Sequence, residues 1–309
     1  MKKITVIGSL NMDMVIDVDH MPAVGETLLA GHVTLIPGGK GANQAYTAGK
    51  LGADVTILGA VGNDTYGDSL CESLKSAGVH TEHLLRLDHV STGNAIITVN
   101  KEGNNSIIVI QGANKLVDCG YIDQKMDIIR ESDIVIFQLE IPLETVVYAA
   151  KKAKELGKMV ILDPAPAQPN LPDELMQCVD LVKPNETELG ILLGQPDAKE
   201  RLSESADRIL ARGAENALVS LGGSGAYLKG ADGSEHRFYT QDVEVVDTTA
   251  AGDSFTAAVA VSLAKGADLV SAIEFADKVA TIVVTKKGAQ SSIPSMQEIE
   301  AYIAGLANK

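Results

Sequence analysis

The feature that most constrains the fold of this chain is a regular alternation between short apolar runs and segments with helical periodicity. Six apolar runs predict buried strands: Ile4–Ile7, Val55–Leu58, Ile134–Phe137, Val160–Leu162, Leu181–Val182 and Ala217–Leu221. Five segments between them predict helices: Ala42–Leu51, Tyr66–Ala77, Leu143–Leu156, Glu186–Leu193 and Ser203–Arg212. This alternation indicates an α/β fold with a mostly parallel sheet that helices cover on both faces.

A second group of short strands does not follow the alternation. Met14–Val18, Thr27–Ile36, Asn94–Asn100 and Asn105–Gln111 are strand-like but have no crossover helices between them. We expect a small separate sheet that forms a lid over the crevice, inserted in two pieces at about residues 12–37 and 92–112 into a single α/β domain of residues 1–309. The last third predicts three helices: Ser254–Lys265, Leu269–Val284 and Met296–Ala304.

Charge and cysteine content restrict the partners and the compartment. The formal net charge is −15 and no basic run exceeds two residues, which argues against nucleic acid as a partner. A phosphate ligand must therefore be held by local N–H groups, one or two cations and metal. The three cysteines are scattered, which fits a reducing cytoplasm. We predict neither a signal peptide nor a membrane span, because no apolar run approaches the required length.

The segment Val246–Phe255 is rich in small residues and stands immediately before a helical pattern. A helix start carries unpaired N–H groups and a partial positive charge, and small residues let an anion approach them. The carboxylate of Asp253 would repel an anion, so its presence indicates a further task. It fits a base that accepts a hydroxyl proton while backbone groups hold the attacked phosphoryl group. The predicted catalytic group is Ala250, Ala251, Gly252 and Asp253.

A second glycine cluster, Gly38–Gly41, opens the helix that contains Asn43. It has neither the spacing of a P-loop nor that of a dinucleotide-binding fingerprint. One interpretation is close backbone approach to a polar ligand, with Gly39, Lys40 and Asn43 as contacts. The other is a flexible turn into a helix.

Polar residues also follow several predicted strands, at the edge where open α/β sheets bind ligands. Asn11 and Asp13, spaced by two, either bind adjacent hydroxyls or cap a turn. Glu140 either reaches a sugar hydroxyl or caps the next helix. Asn185 and Glu188 either hold Mg²⁺ through water or form a capping box.

The segment Leu221–Gly225 also has two interpretations: its backbone either approaches a nucleotide or forms a plain hairpin turn. The six histidines show no metal-binding spacing, and we expect them to be surface or packing residues.

The combination of motifs resembles the ribokinase-like carbohydrate kinase family nearly end to end. The matching segments are Gly38–Ala45, Pro184–Glu188, Asp247–Asp253 and Lys287–Gln290. The resemblance implies a ribokinase-like three-layer α/β/α sandwich with a small β-sheet lid. It also implies ATP-dependent phosphorylation of D-ribose at the 5-hydroxyl, which gives ribose 5-phosphate and ADP in D-ribose catabolism.

The resemblance also implies roles for individual residues. Sugar contacts would come from Asn11, Asp13, Gly39, Lys40, Asn43, Glu140 and Asp253. The nucleotide would be lined by Asn185, Glu188, Ser220, Gly222, Gly225, Gly252 and Asp277. Asn185 and Glu188 would act on Mg²⁺ indirectly. An activating K⁺ would be held near Asp247, Thr249, Val283, Lys286, Gly288 and Ser292.

The lid of this family also pairs two subunits, so a homodimer is implied. The chain departs mildly from the family pattern, with Ser254 and Ser220 where Thr is usual, while Asp277 stands at a variable position.

Other functions remain open at this stage. A sister kinase for 2-deoxyribose, fructose or a nucleoside is the nearest, although the Asn11 and Asp13 pair favours a sugar with vicinal hydroxyls. A non-catalytic sugar-binding sensor would be expected to lose its base or glycine nest, and Asp253, Gly252 and Lys40 are present. A dinucleotide-dependent dehydrogenase lacks the required glycines after Ile7.

Overall fold

The computed structural model describes residues 2–307. Within these residues the strands are β1 (Ile4–Ile7), β2 (Asn11–Asp17), β3 (Val33–Gly38), β4 (Val55–Leu58), β5 (Ala60–Gly62), β6 (Leu85–Leu87), β7 (Gly93–Val99), β8 (Asn105–Ile110), β9 (Ile134–Phe137), β10 (Met159–Leu162), β11 (Leu181–Val182), β12 (Asn216–Ser220), β13 (Ala226–Gly230) and β14 (Glu235–Phe238). The helices are α1 (Lys40–Lys50), α2 (Thr65–Ser76), α3 (Cys119–Gln124), α4 (Met126–Glu131), α5 (Leu143–Glu155), α6 (Asp173–Met176), α7 (Glu186–Leu193), α8 (Leu202–Leu210), α9 (Ala251–Ala264), α10 (Leu269–Val284) and α11 (Met296–Ala307).

The main sheet has the strand order β14-β13-β12-β11-β10-β9-β1-β4. It is parallel from β4 to β12, while β13 and β14 continue it as antiparallel strands. Alternate residues of β9 enter two different cores: Ile134 and Ile136 join one, and Val135 and Phe137 join the other. Because successive strand residues point to opposite faces, the sheet is the middle of three layers, as predicted.

Different helices fill the two cores. Helices α1, α2, α9, α10 and α11 contribute to the first core, and α3 to α8 contribute to the second. Within residues 2–307, all of the strands and helices predicted for the main layers are present. Their observed ends differ from the predicted ends by up to three residues.

The small second sheet has the order β3-β2-β7-β8, with β2 and β7 parallel and the other pairs antiparallel. The prediction of a strand over Thr27–Ile36 is wrong in its first half, because only Val33–Gly38 is extended and paired. Pro22 and Gly31 interrupt the preceding segment, and Gly25 takes a positive φ of 85° there. Strand β2 begins at Asn11, earlier than predicted, because Asn11 and Met12 pair with both β3 and β7.

The carboxyl ends of the parallel strands gather the polar residues of interest. Asn11 and Glu140 come after β1 and β9, and Lys183 directly follows β11. Helices α1 and α9 also begin at this edge of the sheet, because Gln44 of α1 bonds Asp163, which follows β10, and Gly252 of α9 bonds Lys183. The topology therefore concentrates helix starts and strand ends in one place.

Candidate active site

The start of helix α9 has an unusual backbone. Ala250 precedes it with φ 61° and ψ 5°, a left-handed conformation that is uncommon for a residue other than glycine. No side chain caps this helix start. The first turn therefore presents N–H groups and the positive end of the helix dipole to a ligand. Strained backbone of this kind concentrates at functional sites.

Asp253 lies in this first turn and is 7% exposed. Its carboxylate accepts hydrogen bonds from Asn43 Nδ2 at 3.0 Å and from Gln44 Nε2 at 3.3 Å. Asn43 in turn accepts a hydrogen bond from Gln290 Nε2 at 3.4 Å. Helix α1 therefore orients the Asp253 carboxylate. Gln44 and Gln290 were not among the predicted site residues, although both stand inside the quoted motifs.

Helix α1 begins at a close crossing of three segments. Gly39 has φ 89°, and a Cβ at this position would lie 2.6 Å from the backbone nitrogen of Asn11. The Lys40 N–H donates to Glu140 Oε2 at 3.1 Å, and Ser9 Oγ donates to the same oxygen at 2.5 Å. The predicted sugar contacts Asn11, Gly39 and Glu140 thus lie within one small neighbourhood.

Asn11 and Asp13 belong to β2, so they are part of the second sheet as well as residues that follow β1. Asn11 is 3% exposed, and its Oδ1 accepts a hydrogen bond from Asn114 Nδ2 at 2.7 Å. Asn114 also bonds both backbone groups of Leu10. Sequence reasoning missed Asn114, because a lone asparagine about a hundred residues away carries no local signal of this contact.

The electrostatic environment of Asp13 is unusual. Burial raises the pKa of its carboxyl to about 7, and the charges of Glu140 and Asp253 add to the effect. Burial lowers the pKa of Lys40, but the carboxylates of Asp253, Asp163 and Glu140 outweigh it, so the pKa of Lys40 is raised. Lys40 is therefore the cation that balances a group of acids.

A cavity of about 190 Å³ adjoins Asp253. Its walls combine cations, carboxylates and the α9 start: Lys40, Asp163, Lys183, Asn185, Glu188, Ser220, Thr248, Ala250, Gly252 and Asp253. Asp163 and Lys183 were not predicted, although each directly follows an apolar strand. That position at the carboxyl edge of the sheet is the signal that could have found them.

Asn185 and Glu188 form the capping box that one of their two interpretations predicts. The Asn185 side chain accepts from the Glu188 N–H, and the Glu188 carboxylate accepts from the Asn185 N–H, each at 2.8 Å. This is a complete capping box at the start of α7. Both residues also line the cavity beside Asp253. The cap orients them, and it leaves the second oxygen of Glu188 for a ligand.

A second cavity of about 390 Å³ adjoins the first and shares four lining residues with it: Asn185, Ser220, Thr248 and Gly252. It contains the other predicted nucleotide residues, Gly222, Gly225 and Asp277, of which Gly222 and Gly225 belong to the turn between β12 and β13. Apolar side chains complete its wall: Val243, Val245, Phe255, Ala280 and Val284. Burial raises the pKa of Asp277. The hairpin-turn interpretation of Leu221–Gly225 is therefore correct as structure, and the turn also borders a cavity.

The predicted K⁺ residues are only partly in contact with one another. Asp247 accepts hydrogen bonds from the backbone and hydroxyl of Thr249, at 2.9 and 2.6 Å, and from the Gly288 N–H at 2.9 Å. Val283 O accepts from the Lys286 N–H at 3.1 Å, and Ser292 Oγ donates to Ala289 O at 2.7 Å. Among residues 2–307, the structure has no cluster of three or more His, Cys, Asp or Glu side chains arranged to hold a metal ion.

The described part of the chain likewise contains no helix with the length and apolar character needed to cross a membrane.

The chain is similar to known carbohydrate kinases along nearly its whole length. Residues 1–296 match the pfkB family of carbohydrate kinases. The ribokinase of Haemophilus influenzae is 39% identical over 303 residues, which cover 98% of each chain. The deoxyribokinase of Salmonella typhi is 37% identical over 302 residues, which cover 97% of this chain and 98% of that one.

A solved structure gives the same result. The structure of Arabidopsis thaliana ribokinase complexed with ribose and ATP has a TM-score of 0.90 and 33% sequence identity, and the match covers 97% of this chain and 98% of that one. The comparisons confirm the predicted fold and the class of phosphotransferase. The chain belongs to the pfkB family of carbohydrate kinases.

Proposed function

We propose that this chain transfers the terminal phosphoryl group of ATP to the 5-hydroxyl of D-ribose, giving ribose 5-phosphate and ADP. The observation that carries the proposal is the buried Asp253 carboxylate at an uncapped helix start, on the wall of a cavity that also contains Lys40. The similarity to ribokinases over nearly the whole chain supports ribose as the acceptor.

Asp253 acts as the base in this scheme. It accepts the proton of the sugar hydroxyl as the hydroxyl oxygen attacks the terminal phosphorus and ADP leaves. The backbone of Ala250, Ala251, Gly252 and Asp253 binds the charge that grows on the transferred group. The hydrogen bonds from Asn43 and Gln44 hold the carboxylate without neutralising it.

The sugar occupies the neighbourhood where β2, the α1 start and the segment after β9 meet. Its hydroxyls bond to side chains that the structure already orients, such as Asn11, which is held by Asn114. The other contacts are Asp13, Gly39, Lys40, Asn43 and Glu140. Close backbone approach at Gly39 shapes this pocket.

The nucleotide lies in the larger cavity, with its phosphates directed toward Asp253. Apolar side chains such as Phe255 and Val284 contact the nucleobase. The other residues that border the nucleotide are Ser220, Gly222, Gly225, Gly252 and Asp277. Asn185 and Glu188 hold Mg²⁺ through its water shell, since the capping box leaves oxygen acceptors at the cavity wall. The metal supplies neutralisation of phosphate charge.

An activating K⁺ fits the turn at Asp247 and Thr249, whose oxygen donors suit a hard cation. Carbonyl and hydroxyl oxygens near Val283, Lys286, Gly288 and Ser292 complete the proposed set. K⁺ bound there would stabilise the turn that leads into the α9 start, where the anion-binding backbone begins.

The second sheet acts as the lid of a single α/β domain in this proposal, with its inserted pieces at residues 12–37 and 92–112. Strands β3 and β8 of this sheet expose Val33, Leu35 and Ile107–Ile110, and a second copy of the chain covers these residues in a homodimer. The three cysteines are unpaired, which fits a cytoplasmic enzyme.

One alternative acceptor has specific support. The similarity to a deoxyribokinase is nearly as high as to the ribokinases, so 2-deoxyribose is the second candidate. The pair Asn11 and Asp13 on one strand favours a sugar with both vicinal hydroxyls.

The test measures ADP release with Mg-ATP on D-ribose, 2-deoxyribose, fructose and adenosine, each with K⁺ or with Na⁺. We expect the highest kcat/KM on ribose and stimulation by K⁺. A higher kcat/KM on 2-deoxyribose would move the assignment to that sugar. Sugar binding without any turnover would instead favour the sensor.

A further inference from the structure

A buried ion pair in the cleft wall plays no part in the scheme above. Lys183 Nζ lies 3.3 Å from Asp163 Oδ2, and both side chains are less than 5% exposed, at 4% and 3%. The two residues follow adjacent parallel strands, β10 and β11. Burying such a pair costs solvation that its attraction does not reliably recover. Its presence beside the base therefore points to a task other than stability.

The hydrogen bonds of Lys183 leave one donor for a ligand. Its ammonium has three N–H groups. Within residues 2–307 its partners are Asp163 Oδ2 and the Gly252 carbonyl, the latter at 3.2 Å. Gly252 belongs to the first turn of α9, whose N–H groups form the proposed anion hole. Lys183 thus lies beside that turn and also lines the cavity of about 190 Å³.

The charge balance of this cavity requires a second cation. Three carboxylates line it, from Asp163, Glu188 and Asp253, with Lys40 and Lys183 as the cations. A phosphoryl group in transfer spreads negative charge over its oxygens, and fixed cations at that point lower the barrier. Lys40 reaches this cavity from the start of α1 and Lys183 from the end of β11, so two separate elements supply its cations.

Asp163 is held in a way that suits a counter-ion for Lys183. Its Oδ2 accepts from Gln44 Nε2 at 3.0 Å and from Thr256 Oγ1 at 3.3 Å, while its buried Oδ1 has no hydrogen-bond partner among the described residues. Gln44 Nε2 also bonds Asp253 at 3.3 Å. The side-chain amide of Gln44 therefore connects the carboxylate of Asp163 to that of Asp253, the proposed base, by hydrogen bonds.

We propose that Lys183 binds the terminal phosphoryl group of the nucleotide during transfer, and that Asp163 is a positioning residue that holds Lys183 and, through Gln44, the base. This inference rests on the proposed phosphoryl transfer and adds a binding residue to it. Lys183 contacts the group that ATP has and ADP lacks.

The test compares Lys183→Met, Asp163→Asn and the double variant with the wild type. We expect Lys183→Met to lower kcat about 10²- to 10³-fold. Mg-ATP should bind about tenfold more weakly, with Mg-ADP affinity within about twofold of the wild type, because only the terminal phosphate loses a charged contact. Asp163→Asn should lower kcat less, about tenfold, because Lys183 keeps its charge.

The double variant separates a ligand-binding lysine from a merely structural counter-ion. If Lys183 only neutralises Asp163, removal of both charges restores kcat, and that recovery overturns the proposal. The proposal expects the double variant to stay as slow as Lys183→Met. Equal weakening of ATP and ADP binding by Lys183→Met also overturns it.

Lys229→Met is the matched control. Lys229 is 8% exposed and paired with Asp207 and Glu235, but it does not line the cavity. We expect its kcat and nucleotide affinities to equal those of the wild type. If the wild type prefers another acceptor, only the substrate assignment fails, and the kcat ratios are measured with that acceptor. The comparison of ATP with ADP binding needs no acceptor.

Discussion

The main sheet and the second sheet differ in how deeply their strands are buried. All four residues of β1 and all four residues of β9 are buried, because helices cover both faces of the main sheet. In the second sheet, all six residues of β8 are exposed, four of them large and apolar. Strand β2 lies between these extremes, since its first two residues are buried and its last is exposed.

The same contrast is present within strand β2. Asn11 is buried and hydrogen-bonded by Asn114 at one end of the strand, whereas Asp17 is exposed at the other end. The proposed catalytic carboxylate of Asp253 would need precise support, and its hydrogen bonds from Asn43 and Gln44 would supply it. Exposed apolar residues such as those of β8 commonly mark an interaction surface.

The largest effect should come from the proposed base, Asp253. Asp253→Asn keeps the shape of the side chain but removes the base, so we expect kcat to fall by about 10²- to 10⁴-fold while sugar binding remains. ADP release and calorimetric titration with ribose measure the two quantities. Turnover close to that of the wild type would exclude Asp253 from the chemistry.

The second largest effect is expected at Gly39, where the start of helix α1 lies against the backbone of Asn11 in β2. Gly39→Ala places a methyl group 2.6 Å from the Asn11 nitrogen at a positive φ, so we expect a loss of about 2–4 kcal/mol of stability and a raised KM for ribose. Gly52→Ala is the control, because it has φ 80° but open space around the position. Equal melting temperatures for the two variants would show that the close approach is unimportant.

Asp13 should give the second sheet a pH dependence near neutrality. Its pKa is raised to about 7, first by burial and then by Glu140 and Asp253. If the ionised form binds the sugar, kcat/KM for ribose should rise about tenfold per pH unit below 7 and level off above it. Asp13→Asn should lower kcat/KM and abolish this slope; a retained slope would assign the titration to another group.

The same shift has a consequence for stability with a definite sign. Because the folded-state pKa lies above the ordinary value of 3.8, the folded chain binds more protons between pH 4 and pH 7. The contribution of Asp13 to the free energy of unfolding therefore decreases as the pH rises through this window. Thermal unfolding of Asp13→Asn should show a gain over the wild type at pH 8 that disappears near pH 4.

The smallest effect on the folded protomer should come from the exposed face. Ile108 is 62% exposed, so Ile108→Lys should change the free energy of unfolding of the protomer by no more than about 0.5 kcal/mol. We expect it to shift the sedimentation of the chain from dimer to monomer. Ile191→Lys, at a 40% exposed position on α7, is the control. An unchanged dimer in the Ile108 variant would place the contact elsewhere.

Much of this molecule can be predicted from local sequence. Apolar runs such as Ile134–Phe137 and periodic segments such as Leu269–Val284 have the predicted bounds, because burial and periodicity are local properties. The glycine clusters and Asp253 mark two helix starts for the same reason. The segment before β3 was mispredicted, because whether Thr27–Ile36 is extended depends on a partner strand that its first half lacks.

The tertiary structure alone decided which distant residues act together. The contacts of Asn114 with Asn11, of Gln290 with Asn43 and of Lys183 with Asp163 join residues that are 103, 247 and 20 positions apart, and no local pattern encodes them. The sequence by itself determined the elements and the chemistry of the helix starts, because backbone geometry and side-chain type suffice for these. Partners, burial and charge balance come from the order of the strands in the sheet, which brings separate strand ends to one edge.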